Sequence, residues 1–213
     1  MTPAKPARHI SNAHNAALSI AAALILVACA TSESPRTPPR IEVPDEFGFT
    51  ITEVAPVDSE VRLEYGEALH YLEQGEFARG IAMLESVAEA APGLSAPRID
   101  LGIAYHRAGE LEKAKQSLLH ALELNPAHPV AHNELGIIYR EIGRFADARQ
   151  SYEAALAIYP GYHYARRNLA ILCDLYLADL DCALQNYEAY MATVPNDDEA
   201  KIWIADIRNR LAQ

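Results

Sequence analysis

The sequence predicts an all-α protein: a solenoid of helix–turn–helix repeats with a capping helix at its C-terminal end. Three observations predict it. Residues 58–196 resemble themselves at a spacing of 34, each repeat holds two segments with apolar residues three and four apart, and nothing in that span reads as a strand.

The period is clearest in the middle. The stretch LGIAYHRAGELEKAKQSLLHALELNP, 101–126, lies over LGIIYREIGRFADARQSYEAALAIYP, 135–160. Leu101/Leu135, Gly102/Gly136, Tyr105/Tyr139, Gly109/Gly143, Ala114/Ala148, Ala121/Ala155 and Pro126/Pro160 coincide, every pair 34 apart. One period back, Ala68, Tyr71, Gly75, Gly80, Leu84 and Pro92 form a weaker copy. One period forward, Leu169 and Ala170 continue the register, one residue is inserted, and Ala183, Tyr187 and Pro195 resume it. Four copies follow, at 61–94, 95–128, 129–162 and 163–196. In each, the small residues Gly102 and Ala114 and their equivalents let two amphipathic helices approach closely. The glycine at Gly109 allows the turn between them, and the proline at Pro126 stops the second helix.

After Pro195, residues 197–213 place acids in a first turn and Arg208 and Arg210 in a last one. Ala200, Trp203, Ile204, Ile207 and Leu211 make a single apolar stripe. A stack of repeats leaves its last apolar face open, so this segment is expected to cover it. The other reading of Trp203 is an anchor for a partner.

The slots just named resemble the tetratricopeptide repeat: Leu-Gly, Tyr, Ala, Phe or Tyr, Ala and Pro in register over about 140 residues. The resemblance implies a right-handed solenoid whose first helices line a concave face that holds a protein or peptide partner. The lining slots carry Arg62, Tyr65, Leu69 and Leu72; Ile99, Ile103, His106 and Arg107; Asn133, Ile137 and Arg140; and Tyr164, Arg167, Asn168, Ile171 and Asp174. An apolar floor with Arg107, Arg140 and Arg167 suits an extended or helical peptide of some acidic character. Alternatively, these arginines pair with Glu134, Glu141 and Asp174. The lysine and asparagine by which chaperone-binding members of the family clamp a carboxylate are replaced here by Tyr65 and Leu69, so that mode is not expected.

The N-terminal region has another texture. Lys5 and Arg8 precede thirteen uncharged residues, 16–28, and the segment ends in Leu26-Val27-Ala28-Cys29. As a helix this run rises about 20 Å, short of a membrane's ~30 Å core, and the pattern is that of a secretory signal. Its end resembles a bacterial lipobox. The resemblance implies cleavage before Cys29, acylation of Cys29, and anchoring in the cell envelope with Ala30 directing the protein to the outer membrane, facing the periplasm. The alternative is an ordinary signal with an incidental cysteine. Removal of residues 1–28 takes away two cations and no acid, so the net charge of −11 becomes −13. So acidic a body does not bind nucleic acid, and a membrane would hold it by lipid rather than by charge. Residues 29–57, with Pro35, Pro38, Pro39, Pro44 and Pro56, read as an extended tether; FGFTIT, 48–53, reads either as part of it or as a short strand.

Catalytic patterns are missing from the sequence. His128 and His132 stand four apart but beside Pro126 and Pro129, with no acid to complete a metal motif, and neither a phosphate loop nor a GxSxG is present. A non-enzymatic protein without cofactor or metal is expected. Cys173 replaces the tyrosine of the other copies (Tyr71, Tyr105, Tyr139), and Cys182 replaces Arg79, Lys113 and Asp147. They form a disulfide in an oxidising compartment, or pack as free thiols. The stretch 166–207 also resembles proteobacterial lipoproteins associated with TonB/ExbB/ExbD-like systems, which implies an adaptor in an envelope complex. The alternatives are a pilotin-like lipoprotein for a type IV pilus secretin and an accessory of an envelope enzyme. Self-association is not readable from the residues.

Overall fold

The structure is a computed structural model that describes residues 40–42, 50–53 and 57–213. The signal segment 1–28, Cys29 and most of the predicted tether lie outside the described residues.

From residue 59 onward the described chain is helical: α1 Ser59–Glu73, α2 Phe77–Ala90, α3 Ala96–Arg107, α4 Leu111–Leu124, α5 Pro129–Glu141, α6 Phe145–Ile158, α7 His163–Leu175, α8 Leu180–Thr193 and α9 Asp198–Leu211. Helices pack on their chain neighbours, α1 on α2 through α8 on α9, and the first helices of adjacent copies also touch, α3 on α5 and α5 on α7. This is an all-α solenoid of four helix pairs plus a terminal helix, in the register that the 34-residue period predicts.

The turns show why the period carries glycine. Gly75, Gly109 and Gly143 sit at φ +79°, +79° and +78°, where a Cβ is strained. The residue after each donates its N–H to a tyrosine carbonyl five positions back: Glu76 to Tyr71 (2.9 Å), Glu110 to Tyr105 (2.8 Å) and Arg144 to Tyr139 (2.7 Å). Copy four departs. Ala178, at φ +51°, stands where glycine is expected, and Asp179 donates to the Cys173 carbonyl (2.9 Å) six positions back, absorbing the inserted residue.

The helix pairs close over small residues. A Cβ on Gly102 would lie 2.8 Å from Leu118 Cδ2, and one on Gly136 would lie 2.6 Å from Tyr152 Cδ1. Leu118 and Tyr152 are wholly buried, so the glycines set the separation of α3 from α4 and of α5 from α6. Two clusters of buried side chains, one from Ala68 to Ile138 and one from Ala148 to Ile207, share the half-buried Val130 and Tyr139 and form a continuous core. Helix α9 buries Ala200, Ile204 and Ile207 against it. Trp203 lies with its ring 5.3 Å from that of Tyr187, and Leu211, the last residue of the predicted stripe, is exposed.

Two short strands precede the array. Strand β1, Arg40–Glu42, pairs antiparallel with β2, Thr50–Thr52, in the register Arg40↔Thr52, Ile41↔Ile51, Glu42↔Thr50. An extended tether over 29–57 is therefore not the whole account of that segment. The β-branched run Thr50-Ile51-Thr52 has strand preference that its proline-rich surroundings mask.

Candidate functional site

The first helices of the copies carry the predicted lining residues, and the structure sorts them into three groups. Ile99 and Asn133, 4% and 2% exposed, lie buried in the seams between copies and do not line an open face. Both were expected in the groove. The neighbouring helix closes over Ile99, and Asn133 is taken up by Asn168, whose Nδ2 donates to its Oδ1 (2.9 Å). Leu69, Ile103, Ile137 and Ile171 are half-buried, Tyr164 is exposed, and Arg62 and Arg107 reach solvent.

A polar ladder runs across these helices at a spacing the sequence reading missed. Tyr65 donates its hydroxyl proton to Asp100, His106 Nε2 lies 3.0 Å from Glu141 Oε1, and Asn168 donates to Asn133. Each pair is 35 residues apart, because a residue meets the neighbouring copy one position beyond its own equivalent. Scanning for polar residues at i and i+35 finds the ladder once the 34-residue period is known. Burial of Asp100 raises its pKa, opposed by the Tyr65 hydrogen bond. Burial likewise raises that of Glu134, opposed by Asn133, His106 and Arg107.

At the same spacing three of the groove arginines meet no acid. Arg62, Arg107 and Arg140 are followed at i+35 by Pro97, Ile142 and Leu175, and among the described residues none of the three has a carboxylate in ion-pair distance. The acids nearest the groove also have partners of their own, although Arg107 still acts on Glu134 through space. Glu134 accepts from Asn133 Nδ2 (3.1 Å), Glu141 faces His106, and Asp174 accepts from Arg210 (2.7 Å). Arg167 only grazes Glu199, at 3.9 Å, and its guanidinium lies 5.3 Å from the centre of the Trp203 ring.

Arg140 is the most constrained of these cations. Its guanidinium carbon is 5.9 Å from the centre of the Tyr176 ring, which packs in turn on Phe145 at 5.0 Å. Its guanidinium lies beside the buried hydroxyl of Tyr152 and favours ionisation of that hydroxyl against the larger upward push of burial, while among the described residues its own Nε is buried with no acceptor. A guanidinium beside an aromatic ring, with no carboxylate in ion-pair distance among the described residues, is suited to receive a carboxylate or a run of carbonyls.

Other candidate chemistry is spent locally. His128 caps α5, its Nδ1 accepting from Ala131 N–H (3.4 Å), and His132 Nε2 lies 3.0 Å from the Pro126 carbonyl. The Sγ atoms of Cys173 and Cys182 are bonded to each other, with Cα atoms 5.9 Å apart. Asp179, whose carboxylate lies near these sulfurs, has its pKa held down by the N–H of Cys182 and then by Arg149. Trp203 packs on the last repeat, as a capping residue does.

Glu53 also escaped the sequence reading. It accepts from Ser95 N–H (2.9 Å), from the Ser95 hydroxyl, and from Asn125 Nδ2 (3.3 Å). Ser95 is the N-cap of α3 and Asn125 the C-cap of α4, both of them buried. Beside Glu53 an apolar cavity of about 250 Å³ is lined by Val57, Val61, Leu94 and Pro97 with Tyr65 and Arg62.

Residues 65–114 and 99–163 match the family model of the tetratricopeptide repeat. Solved structures with this fold include MamA, residues 41 to the end, from Desulfovibrio magneticus RS-1 (18% identity over 74% of this chain and 88% of that one, TM-score 0.65). Another is pilF of Pseudomonas aeruginosa (19% identity, 71% of this chain and 69% of that one, TM-score 0.65). A third is the first such domain of Spaghetti (RPAP3), bound to the HSP90 peptide SRMEEVD (23% identity, 56% of this chain and 94% of that one, TM-score 0.53). At these identities the likeness is one of fold. No curated protein matches the sequence significantly.

Proposed function

Starting from an array of tetratricopeptide repeats, a fold that serves protein–protein interaction, we propose a lipid-anchored adaptor of the bacterial cell envelope. In this reading Cys29 carries the lipid in the outer membrane, the segment before the array spaces it from the bilayer, and the first helices hold a peptide of an envelope complex. The finer candidate for that complex is a TonB/ExbB/ExbD-like system, suggested by the stretch 166–207.

The observation that carries the peptide-binding part is Arg140: a partly buried guanidinium 5.9 Å from the centre of the Tyr176 ring, with no carboxylate in ion-pair distance among the described residues, in a protein whose charge is strongly negative. An acidic residue of a peptide would neutralise it, and Ile137 and Ile171 would receive the peptide's apolar side chains. The disulfide favours an oxidising compartment, which agrees with the envelope.

The test is photo-crosslinking in intact cells from a photoreactive residue at position 137, followed by mass spectrometry. One dominant envelope protein, lost on Arg140→Glu, is the expected result. Capture of a secretin or pilus subunit would move the reading to a pilotin. A scatter of abundant proteins, indifferent to Arg140→Glu, would refute it.

A further inference from the structure

The two cysteines occupy slots that perform the same task in every copy. The tyrosine at the end of the first helix and the residue three positions into the second helix face each other across the turn. In copy one the Arg79 guanidinium lies 3.8 Å from the centre of the Tyr71 ring, and in copy two Lys113 Nζ lies 5.1 Å from that of Tyr105. In copy three the slot holds Asp147, which draws Arg144 to within 2.7 Å, and the Arg144 guanidinium covers Tyr139 at 4.8 Å. Copy four has neither tyrosine nor cation there. It has the Cys173–Cys182 bond instead.

Its turn is also the one that lacks glycine. Ala178 takes the positive φ, and a residue is inserted. The turn most expensive in backbone terms is therefore the one closed covalently. Its surroundings connect it to the groove. Tyr176, at the end of α7, is the ring beneath Arg140, and Asp179 is bonded to Arg149 Nη2 of α6 (2.9 Å). On the other side Arg166 of α7 donates to Asn186 (3.1 Å), whose Nδ2 reaches the Cys182 carbonyl (2.9 Å).

We propose that the Cys173–Cys182 disulfide is a redox-sensitive lock on the Arg140 end of the groove, standing in for the glycine and the stacked cation of the other turns. Cys173 is wholly buried and Cys182 is partly exposed, so a thiolate from solvent attacks Cys182 Sγ. The mixed disulfide forms there and Cys173 leaves as the thiolate. The second thiol of a dithiol reductant then displaces Cys182. Two electrons and two protons pass to the protein, giving two thiols and one oxidised dithiol. With the bond gone the Ala178 turn is no longer held, and Tyr176 ceases to brace Arg140. The consequence for binding rests on the groove reading above; the local opening does not.

The test uses the folded chain, oxidised and after dithiothreitol, with amide exchange read by mass spectrometry. Reduction is expected to speed exchange over 172–183 at least tenfold, against roughly a hundredfold if the full loop-closure entropy were released. Helices α1–α4 keep their rates. Ala178→Gly, which relieves the turn, should recover much of the protection in the reduced state, and emission of the single tryptophan, Trp203, should follow the same order. Equal exchange in both redox states would overturn the lock, as would a uniform rise along the array. Failure of Ala178→Gly to slow exchange would overturn the substitution of bond for glycine. A crosslink at 137 that never forms in oxidised cells would sink the groove reading and leave the exchange result intact.

Discussion

Gly136→Ala is expected to destabilise the array although it improves the helix. The added methyl would lie 2.6 Å from Tyr152 Cδ1 and 2.9 Å from its Cζ, against the ordinary contact of about 3.5–4 Å between carbons. The ring cannot swing away, because Tyr152 is 0% exposed and its hydroxyl lies against Arg140. Overpacking of this kind costs about 1–3 kcal/mol, and with several ring atoms in the way the upper half of that range applies. Alanine returns about 1 kcal/mol of helix propensity, so the net loss is about 1–2 kcal/mol. The same change at Gly66 is the control. There no described atom lies within 4 Å of the new methyl, and the gain of about 0.5–1 kcal/mol should appear alone. Tyr152→Leu then tests the cause, since it removes the ring atoms that the new methyl would meet. In urea titrations at constant slope, Gly136→Ala and Tyr152→Leu should couple favourably by about 2 kcal/mol. A Gly136→Ala protein as stable as the wild type, or simple additivity with Tyr152→Leu, would refute the reasoning.

Three further outcomes are expected. His128 is kept neutral by burial, its pKa pushed down to about 4 from a free value near 6.5, so the stability tied to it is full above about pH 6.5 and is lost as pH falls through 4. Raised Asp100 and Glu134 act with the opposite sign, so the informative quantity is a difference: His128→Asn, which keeps a capping oxygen, should lose less stability between pH 7 and 5, by up to about 2 kcal/mol in urea midpoints taken at each pH. Glu53→Ala leaves Ser95 N–H and Asn125 Nδ2 without their acceptor; a loss of about 2 kcal/mol, with faster amide exchange over 94–98, is expected. Trp203→Ala strips the cap from Tyr187 and Arg167; about 2 kcal/mol should be lost, since the ring is only half-buried, and α9 should exchange first.

What was legible in the sequence follows from what a repeat constrains. The positive-φ turns at Gly109 and Gly143 and the close approaches at Gly102 and Gly136 exclude other residues, so the glycines mark them and the helix boundaries follow to within a few positions. The cap was legible for a similar reason, since Ala200, Ile204 and Ile207 have no use on a free helix. Ala178 was not, because its turn has neither the glycine nor the spacing of the other copies. The groove was legible only in outline: Ile137 and Arg140 are half-buried on the first helices, but Ile99 and Asn133 close into seams whose depth depends on the neighbouring copy. Arg62, Arg107 and Arg140 lack a carboxylate 35 residues ahead, whereas Arg167 reaches Glu199 at a different spacing, so the pairing needs the packing as well as the period. Glu53 finds its partners 42 and 72 positions away, a distance at which no local pattern speaks.

That contact of Glu53 has a consequence for how such an array can grow. Its two partners bracket copy two, Ser95 opening α3 and Asn125 closing α4. The carboxylate therefore acts as a caliper set to the thickness of one repeat. A module duplicated beyond Asn125 leaves the caliper undisturbed, whereas one inserted between Glu53 and Ser95 strands a charge and two buried donors. By this contact the N-terminal end of the array is fixed to its first two copies, and a repeat added after Asn125 would not break it.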